Sequence, residues 1–166
     1  MSKLNDLDWV IEAKRHLGMH EVTHNFILKD RIKELGVSWL GSNPAWCGIY
    51  LAHCFKLCGI NFPKNFYRAL DWKSGGVKLK TPCYRSVAIK TRKGGGHVCL
   101  VVGKTNDGRL VCIGGNQSNM VCYAIYKISD FDEFRWYGRT GSPAAQRFEL
   151  ETINLNSKIK LNVTEN

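Results

Sequence analysis

The chain holds seven cysteines in 166 residues, and the first chemical question is whether one of these thiols is a nucleophile. A thiol attacks well only as a thiolate, and a helix N-terminus or a neighbouring imidazolium lowers its pKa. The stretch "SNPAWCGIYLAHCFKLCGINFP", residues 42–63, places one cysteine accordingly. Asn43 is a good N-cap, and Pro44 falls at the first helical position, where its missing N–H costs nothing. Cys47 then lies in the first turn, where unpaired N–H groups and the helix dipole favour negative charge. Cys54 and Cys58 sit deeper in the same helix and lack that benefit. Cys99, Cys112 and Cys122 fall in strand-like runs, where a buried, inert thiol is the normal case. Cys83 follows Pro82 in an irregular region with no evident partner. Position selects Cys47.

A nucleophilic cysteine needs a base, and the base needs a group to orient it. His97 stands behind Gly94-Gly95-Gly96, glycines that let substrate or backbone come close. The runs "HVCLVVG" (97–103) and "RLVCIGG" (109–115) alternate with period two around "KTNDG", a hairpin signal. A turn centred on Asn106-Asp107 sets His97 opposite Asn116; one at Asp107-Gly108 leaves the two diagonal on one face. In both registers Gln117 points to the other face. Asn116 is therefore the predicted orienter of the His97 ring. The same face carries Cys99, Val101 and Cys112, a suitable bed for the helix that begins at Cys47.

Taken singly, these residues read more simply as a buried thiol, a surface histidine and a turn asparagine. Their joint arrangement favours a cysteine hydrolase. A metal site from His97, Cys99 and Cys112 is disfavoured, because strand alternation does not gather four tetrahedral ligands. His16, His20 and His24 recur at four-residue intervals, but Gly18 and Thr23 weaken a continuous helix there, so they read as scattered surface histidines.

Other elements must hold these groups in place. Leu7, Val10, Ile11, Lys14 and Leu17 have helical spacing over residues 5–17, with Asn5 or Asp6 as N-cap. A second helix is predicted from about Asn25 to Leu35, ending at Gly36. The Cys47 helix is the most hydrophobic and hence the central one, closing at Gly59. Gly48 inside it is unfavourable by ~1 kcal/mol relative to Ala, which makes sense if another group approaches the backbone there. "MVCYAIYKI" (120–128) reads as a third strand. Helices followed by consecutive strands predict an α+β fold with an antiparallel sheet. One catalytic domain over residues 1–143 is expected, then a C-terminal extension, 144–166, as an edge hairpin or tail.

Composition narrows the function classes. An odd cysteine count argues against a closed disulfide framework, and no Cys-x-x-Cys pair signals a dithiol or a zinc knuckle. No run approaches the roughly 20 apolar residues needed to span a bilayer, and the charged N-terminus has no signal-peptide core. The net charge of +10 is concentrated: Lys64 to Lys93 holds nine Lys/Arg and one acid, Asp71. Such a face favours an anionic partner, with Tyr67, Trp72 and Tyr84 interleaved as stacking groups. Nucleic acid is the less favoured partner, because glycine punctuation suggests loops flanking a groove.

The blocks "WVIEAKRHLGMHEVTHNFIL", "NPAWCGIYLAHCFKLCGI", "RALDWKSGG", "GGGHVCLVVG", "LVCIGGNQSNMV" and "FRWYG" resemble, in order, those of CHAP-type cysteine peptidoglycan hydrolases. The resemblance is to the papain-like, NlpC-related branch found in phage lysins and phage structural proteins, and covers about residues 9 to 138. It implies a papain-like core: N-terminal helices, and a central Cys-bearing helix packed on an antiparallel sheet. It also implies hydrolysis of a peptide-stem amide of peptidoglycan, by an endopeptidase or an N-acetylmuramoyl-L-alanine amidase, with no cofactor or metal. Cys47 would be the nucleophile, His97 base and then acid, and Asn116 the orienting residue. The Cys47 N–H and the Asn43 side chain would serve the oxyanion, with Trp46, Gly96 and Gln117 beside the substrate. Two features depart from the pattern: "YRSVAIK" lacks the acid of a Gly-Asp-Ile-like strand, and Cys99 replaces a small residue. A monomer is expected, held in a host cytoplasm before release to the cell wall, or carried in a virion. The alternative is a non-catalytic phage structural module, or one that binds cell wall or nucleic acid.

Overall fold

The computed structural model describes residues 9–21, 23–36, 46–138 and 150–153. Three helices come first: α1 (Trp9–Arg15), α2 (Asn25–Glu34) and α3 (Cys47–Leu57). A short 3-10 helix, Ala69–Ser74, leads into the strands β1 (Val77–Leu79), β2 (Val87–Arg92), β3 (Gly95–Lys104), β4 (Leu110–Gln117), β5 (Met120–Tyr126) and β6 (Glu133–Trp136). The strands form one six-stranded sheet in the order β1-β6-β2-β3-β4-β5, with every neighbouring pair antiparallel. The molecule is thus a mixed α+β protein, as the order of helical and strand-like patterns predicted.

The α2 and α3 termini follow their glycines, since Gly36 and Gly59 both take positive φ. Within the described residues α1 begins at Trp9, so its predicted caps Asn5 and Asp6 lie outside them, as do Asn43 and Pro44. The first helical residue of α3 is Cys47, preceded by Trp46.

Helix α3 is buried along nearly its whole length and packs on β3 and β4. Its bed is Val98, Leu100, Val102, Val111 and Ile113, which join Leu51, Phe55, Trp9, Trp72 and Trp136 in the main core. Cys99, Val101 and Cys112 lie on the opposite sheet face, in a second core with Tyr126, Phe131 and Phe134. The expectation that α3 rests on the cysteine-bearing face is therefore corrected. Both faces of this sheet are apolar at β3 and β4, so alternation alone did not say which one takes the helix.

Gly48 lets the chain pack tightly at the start of α3. A Cβ there would collide with the Phe66 carbonyl oxygen, which accepts the Trp72 indole N–H at 2.9 Å. Of the extension, Glu151 to Ile153 hydrogen-bonds to both the N–H and the carbonyl of Lys104, a short parallel addition to the end of β3.

Candidate active site

Trp46 anchors the start of α3. Its ring lies against Gly115 of β4, where a Cβ would come within 2.7 Å of it, and its N–H donates to Glu21 Oε2 at 2.9 Å. The segment carrying Glu21 is itself tied to β5, through Gly18 N to Val121 O (2.8 Å) and Glu21 N to Asn119 O (2.9 Å). Trp46 is 1% exposed, so it is a positioning side chain and not the substrate contact expected from sequence. The β3–β4 ladder ends at Leu100 and Ile113. Beyond that point the start of α3 meets the ends of both strands. A thiol on the helix side there reaches a histidine whose ring faces the second core.

Cys47 and His97 are both buried and interact directly. Burial by itself raises a thiol pKa, but the hydrogen bond and charge of His97 lower it. The Val98 N–H and the charge of Arg92 act in the same direction, and the net shift of Cys47 is downward. For His97, burial opposes the charged form, yet the Cys47 and Cys99 thiols outweigh it and push the pKa up to about 10. Each partner therefore favours the ionised state of the other. The direction of both shifts is toward a thiolate facing an imidazolium.

The orienting group is Gln117. Its Oε1 lies 3.0 Å from His97 Nε2 and accepts the Tyr126 hydroxyl at 2.9 Å, while its Nε2 donates to the Cys122 carbonyl at 2.7 Å. The last bond fixes which end of the amide faces the ring. An amide oxygen can only accept, so His97 Nε2 must carry a proton. The other ring nitrogen, Nδ1, makes no hydrogen bond to a described residue and is the one available to the thiol. The ring is thereby held in the tautomer that a cysteine nucleophile requires.

This arrangement overturns the predicted parity. Asn116 does not meet His97; it takes φ of +57°, and no hydrogen bond joins its side chain to another described residue. Gly114 pairs with Cys122 and Gln117 with Met120, so β4 spends two residues, Gly115 and Asn116, where β5 spends one. Such a bulge reverses alternation beyond it and turns Gln117, not Asn116, to the His97 side. A second bulge, between Val101 and Gly103, restores the register that a turn at Asn106-Asp107 would give. Neither predicted turn is observed, since Lys104 faces Leu110 and Gly103 faces Val111, and neither bulge was readable from the sequence. Ser118 and Asn119, both at positive φ, close a tight two-residue turn immediately after Gln117. That dipeptide was the available signal of a distorted strand end.

Cys47 opens onto a cleft of about 360 Å³, walled by Tyr67 to Asp71 on one side and by Gly95 and Gly96 on the other. Gly96 thus lines the cleft as expected. A Cβ at Gly96 would come within 2.6 Å of the Leu70 side chain, so the glycine allows that wall to close on β3. Gln117 is 1% exposed and serves the histidine rather than the substrate. Asn43 lies outside the described residues. The Cys47 N–H, at the first helical position, donates to no described residue and is a candidate oxyanion donor.

The chain matches no protein-family model, and no curated protein matches it significantly.

The other thiols differ in kind from Cys47. Burial raises Cys54 strongly and pushes Cys83 up to about 11. Burial and the neighbouring Cys112 hold Cys99 well above its ordinary value, against the opposing effect of His97. All seven cysteines are free. The basic segment from Lys64 to Lys93 is less uniform than its composition suggests. Lys73 pairs with Asp132 at 2.9 Å, Lys78 lies 3.7 Å from Glu133, and Arg85 is buried. Trp72 is fully buried in the main core and cannot stack on a ligand; Tyr67 is exposed. Lys64, Lys80 and Lys93 remain on the surface. No helix among the described residues is long and apolar enough to cross a membrane.

Proposed function

We propose that this chain is a papain-like cysteine hydrolase that cleaves an amide in the peptide part of peptidoglycan. The observation that carries the chemistry is the buried Cys47–His97 pair, its ring held by Gln117 and its thiol at the head of an accessible cleft. The polymer is supplied by the sequence resemblance to CHAP-type hydrolases. In this reading the Cys47 thiolate attacks the amide carbonyl carbon, and the Cys47 N–H holds the developing oxyanion. The His97 Nδ1 proton passes to the leaving nitrogen, the C–N bond breaks, and a thioester remains on Cys47. His97, now neutral, takes a proton from water; the hydroxide attacks the thioester, releasing the carboxylate and restoring the ion pair.

Exposed Lys64, Lys80 and Lys93 would dock the enzyme on the anionic wall, a role separate from bond cleavage. The place of action in this reading is the bacterial wall or periplasm, reached after release from a host cytoplasm or from a virion. Muropeptide mass spectrometry of digested sacculi tests the reaction class and the bond. New peptide termini or free muramoyl lactyl groups, absent with Cys47→Ala, are expected. Intact muropeptides with the wild-type protein would leave the wall-binding module as the better account.

A further inference from the structure

The cleft at Cys47 has an unusual charge arrangement. Among the described residues that line it, Arg68 and Asp71 are the only two charged side chains. They stand one turn apart at the start of the 3-10 helix Ala69–Ser74, with Asp71 N–H donating to the Arg68 carbonyl at 3.1 Å. Arg68 is the extended residue that precedes this helix and Asp71 lies in its first turn, and both line the cleft. No ion pair or side-chain hydrogen bond joins either one to another described residue; the Arg68 guanidinium lies 6.0 Å above the Tyr67 ring. Two opposite charges are thus presented to the cleft without neutralising each other.

The wall that carries them is fixed. Ala69 and Trp72 are buried, the Trp72 N–H is bonded to the Phe66 carbonyl, and Leu70 is seated against Gly96 one residue before His97. Arg68 and Asp71 are therefore held in register with the Cys47–His97 pair, the condition for a charge to select a substrate and not merely attract it. Guanidinium matches a carboxylate in a two-pronged geometry, and a carboxylate accepts from an ammonium.

We infer that Arg68 and Asp71 are specificity-determining residues that select a peptide bearing a carboxylate and an ammonium near the scissile amide. Arg68 receives the carboxylate and Asp71 the ammonium. This rests on the hydrolase reading above and sharpens it: uncharged or singly charged peptides are poor substrates of this cleft.

Two measurements test it, and they separate its failure from that of the wall reading. The first needs no turnover. Rates of Cys47 alkylation by anionic iodoacetate and neutral iodoacetamide are compared in the wild type, Arg68→Ala and Asp71→Asn. The iodoacetate-to-iodoacetamide ratio should fall severalfold in Arg68→Ala and rise severalfold in Asp71→Asn, with iodoacetamide rates unchanged. A ratio that moves in neither variant overturns the proposal. The second compares hydrolysis of isolated stem peptides with free or amidated carboxylates and free or acetylated amines. The wild type should show about a tenfold lower KM for the doubly charged form at similar kcat. Arg68→Ala should lose only the carboxylate preference and Asp71→Asn only the ammonium preference. Equal KM for all forms in the wild type overturns the proposal while leaving the hydrolase intact. If no stem peptide is cut yet the alkylation ratios move as stated, the wall reading falls and the charge selection stands.

Discussion

Replacing Gln117 by Ala removes three buried hydrogen bonds at once: from His97 Nε2 (3.0 Å), from the Tyr126 hydroxyl (2.9 Å) and to the Cys122 carbonyl (2.7 Å). The bond to His97 strengthens when the ring is an imidazolium, and hydrogen bonds to charged groups are worth about 1.5–3 kcal/mol. Its loss should therefore slow turnover by roughly ten- to a hundredfold, at about 1.36 kcal/mol per tenfold. Buried groups left unsatisfied cost about 1–3 kcal/mol each, so thermal unfolding must be followed beside activity. Tyr126→Phe controls for this, since it removes one donor to Gln117 and leaves the His97 contact; it should cost about 1 kcal/mol of stability and only a few-fold in rate. Asn116→Gly tests the opposite assignment. Glycine keeps the positive φ of this position while deleting the amide, and activity should stay within about twofold of the wild type. Sacculus hydrolysis and Cys47 alkylation, both measured on folded protein, give the two readouts. If Asn116→Gly loses as much rate as Gln117→Ala, or folded Gln117→Ala turns over normally, the bulge does not set the triad and the reasoning fails.

The coupling of Cys47 and His97 sets the expected pH dependence. Cys47 alkylation should rise through a pKa below the ordinary 9.0, because His97 favours the thiolate against the effect of burial; a midpoint at or above that value would contradict the pairing. Hydrolysis should fall as pH rises through about 10, where His97 loses the proton it must give the leaving group. One equivalent of iodoacetamide at neutral pH should react, at Cys47, with Cys54, Cys83 and Cys99 spared; peptide mapping that finds another of these thiols labelled first refutes the selection of Cys47. Gly48→Ala should destabilise by at least ~1–3 kcal/mol, because its Cβ meets the backbone carbonyl of Phe66, and an unchanged melting temperature would show that the two segments are not in contact. Neutralising Lys64, Lys80 and Lys93 together should weaken sedimentation with sacculi and leave small-substrate turnover intact; DNA binding at matched salt without sacculus binding would favour the nucleic-acid module.

The pairing of Cys47 with His97 was legible in the sequence because each residue sits where a local rule applies. Cys47 follows a helix-start pattern, and His97 opens a strand behind three glycines. The central helix, the β3–β4 hairpin and β5 were legible for the same reason, from periodicity and turn residues. The third site residue was not. Its face depends on whether alternation persists past Gly114, and the bulge at Asn116 is set by the tight turn at Ser118-Asn119 and by pairing to β5. Strands β1, β2 and β6 also escaped the reading. β1 spans three residues and β6 four, and β2 lies inside the basic segment, so tertiary pairing outweighs any local signal there. Trp72 shows the converse error. Its place among lysines suggested a stacking surface, but its indole N–H finds the Phe66 carbonyl and the ring is core.

The central claim is that the Cys47 thiolate hydrolyses amide bonds of peptidoglycan. Its most direct test is the release of new primary amines from purified sacculi by the wild type and by Cys47→Ala, at equal concentrations of protein shown to be folded by circular dichroism. The wild type should release amines continuously and Cys47→Ala none above background, with chelators without effect on either. Equal release by the two proteins, or none by the wild type, would contradict it.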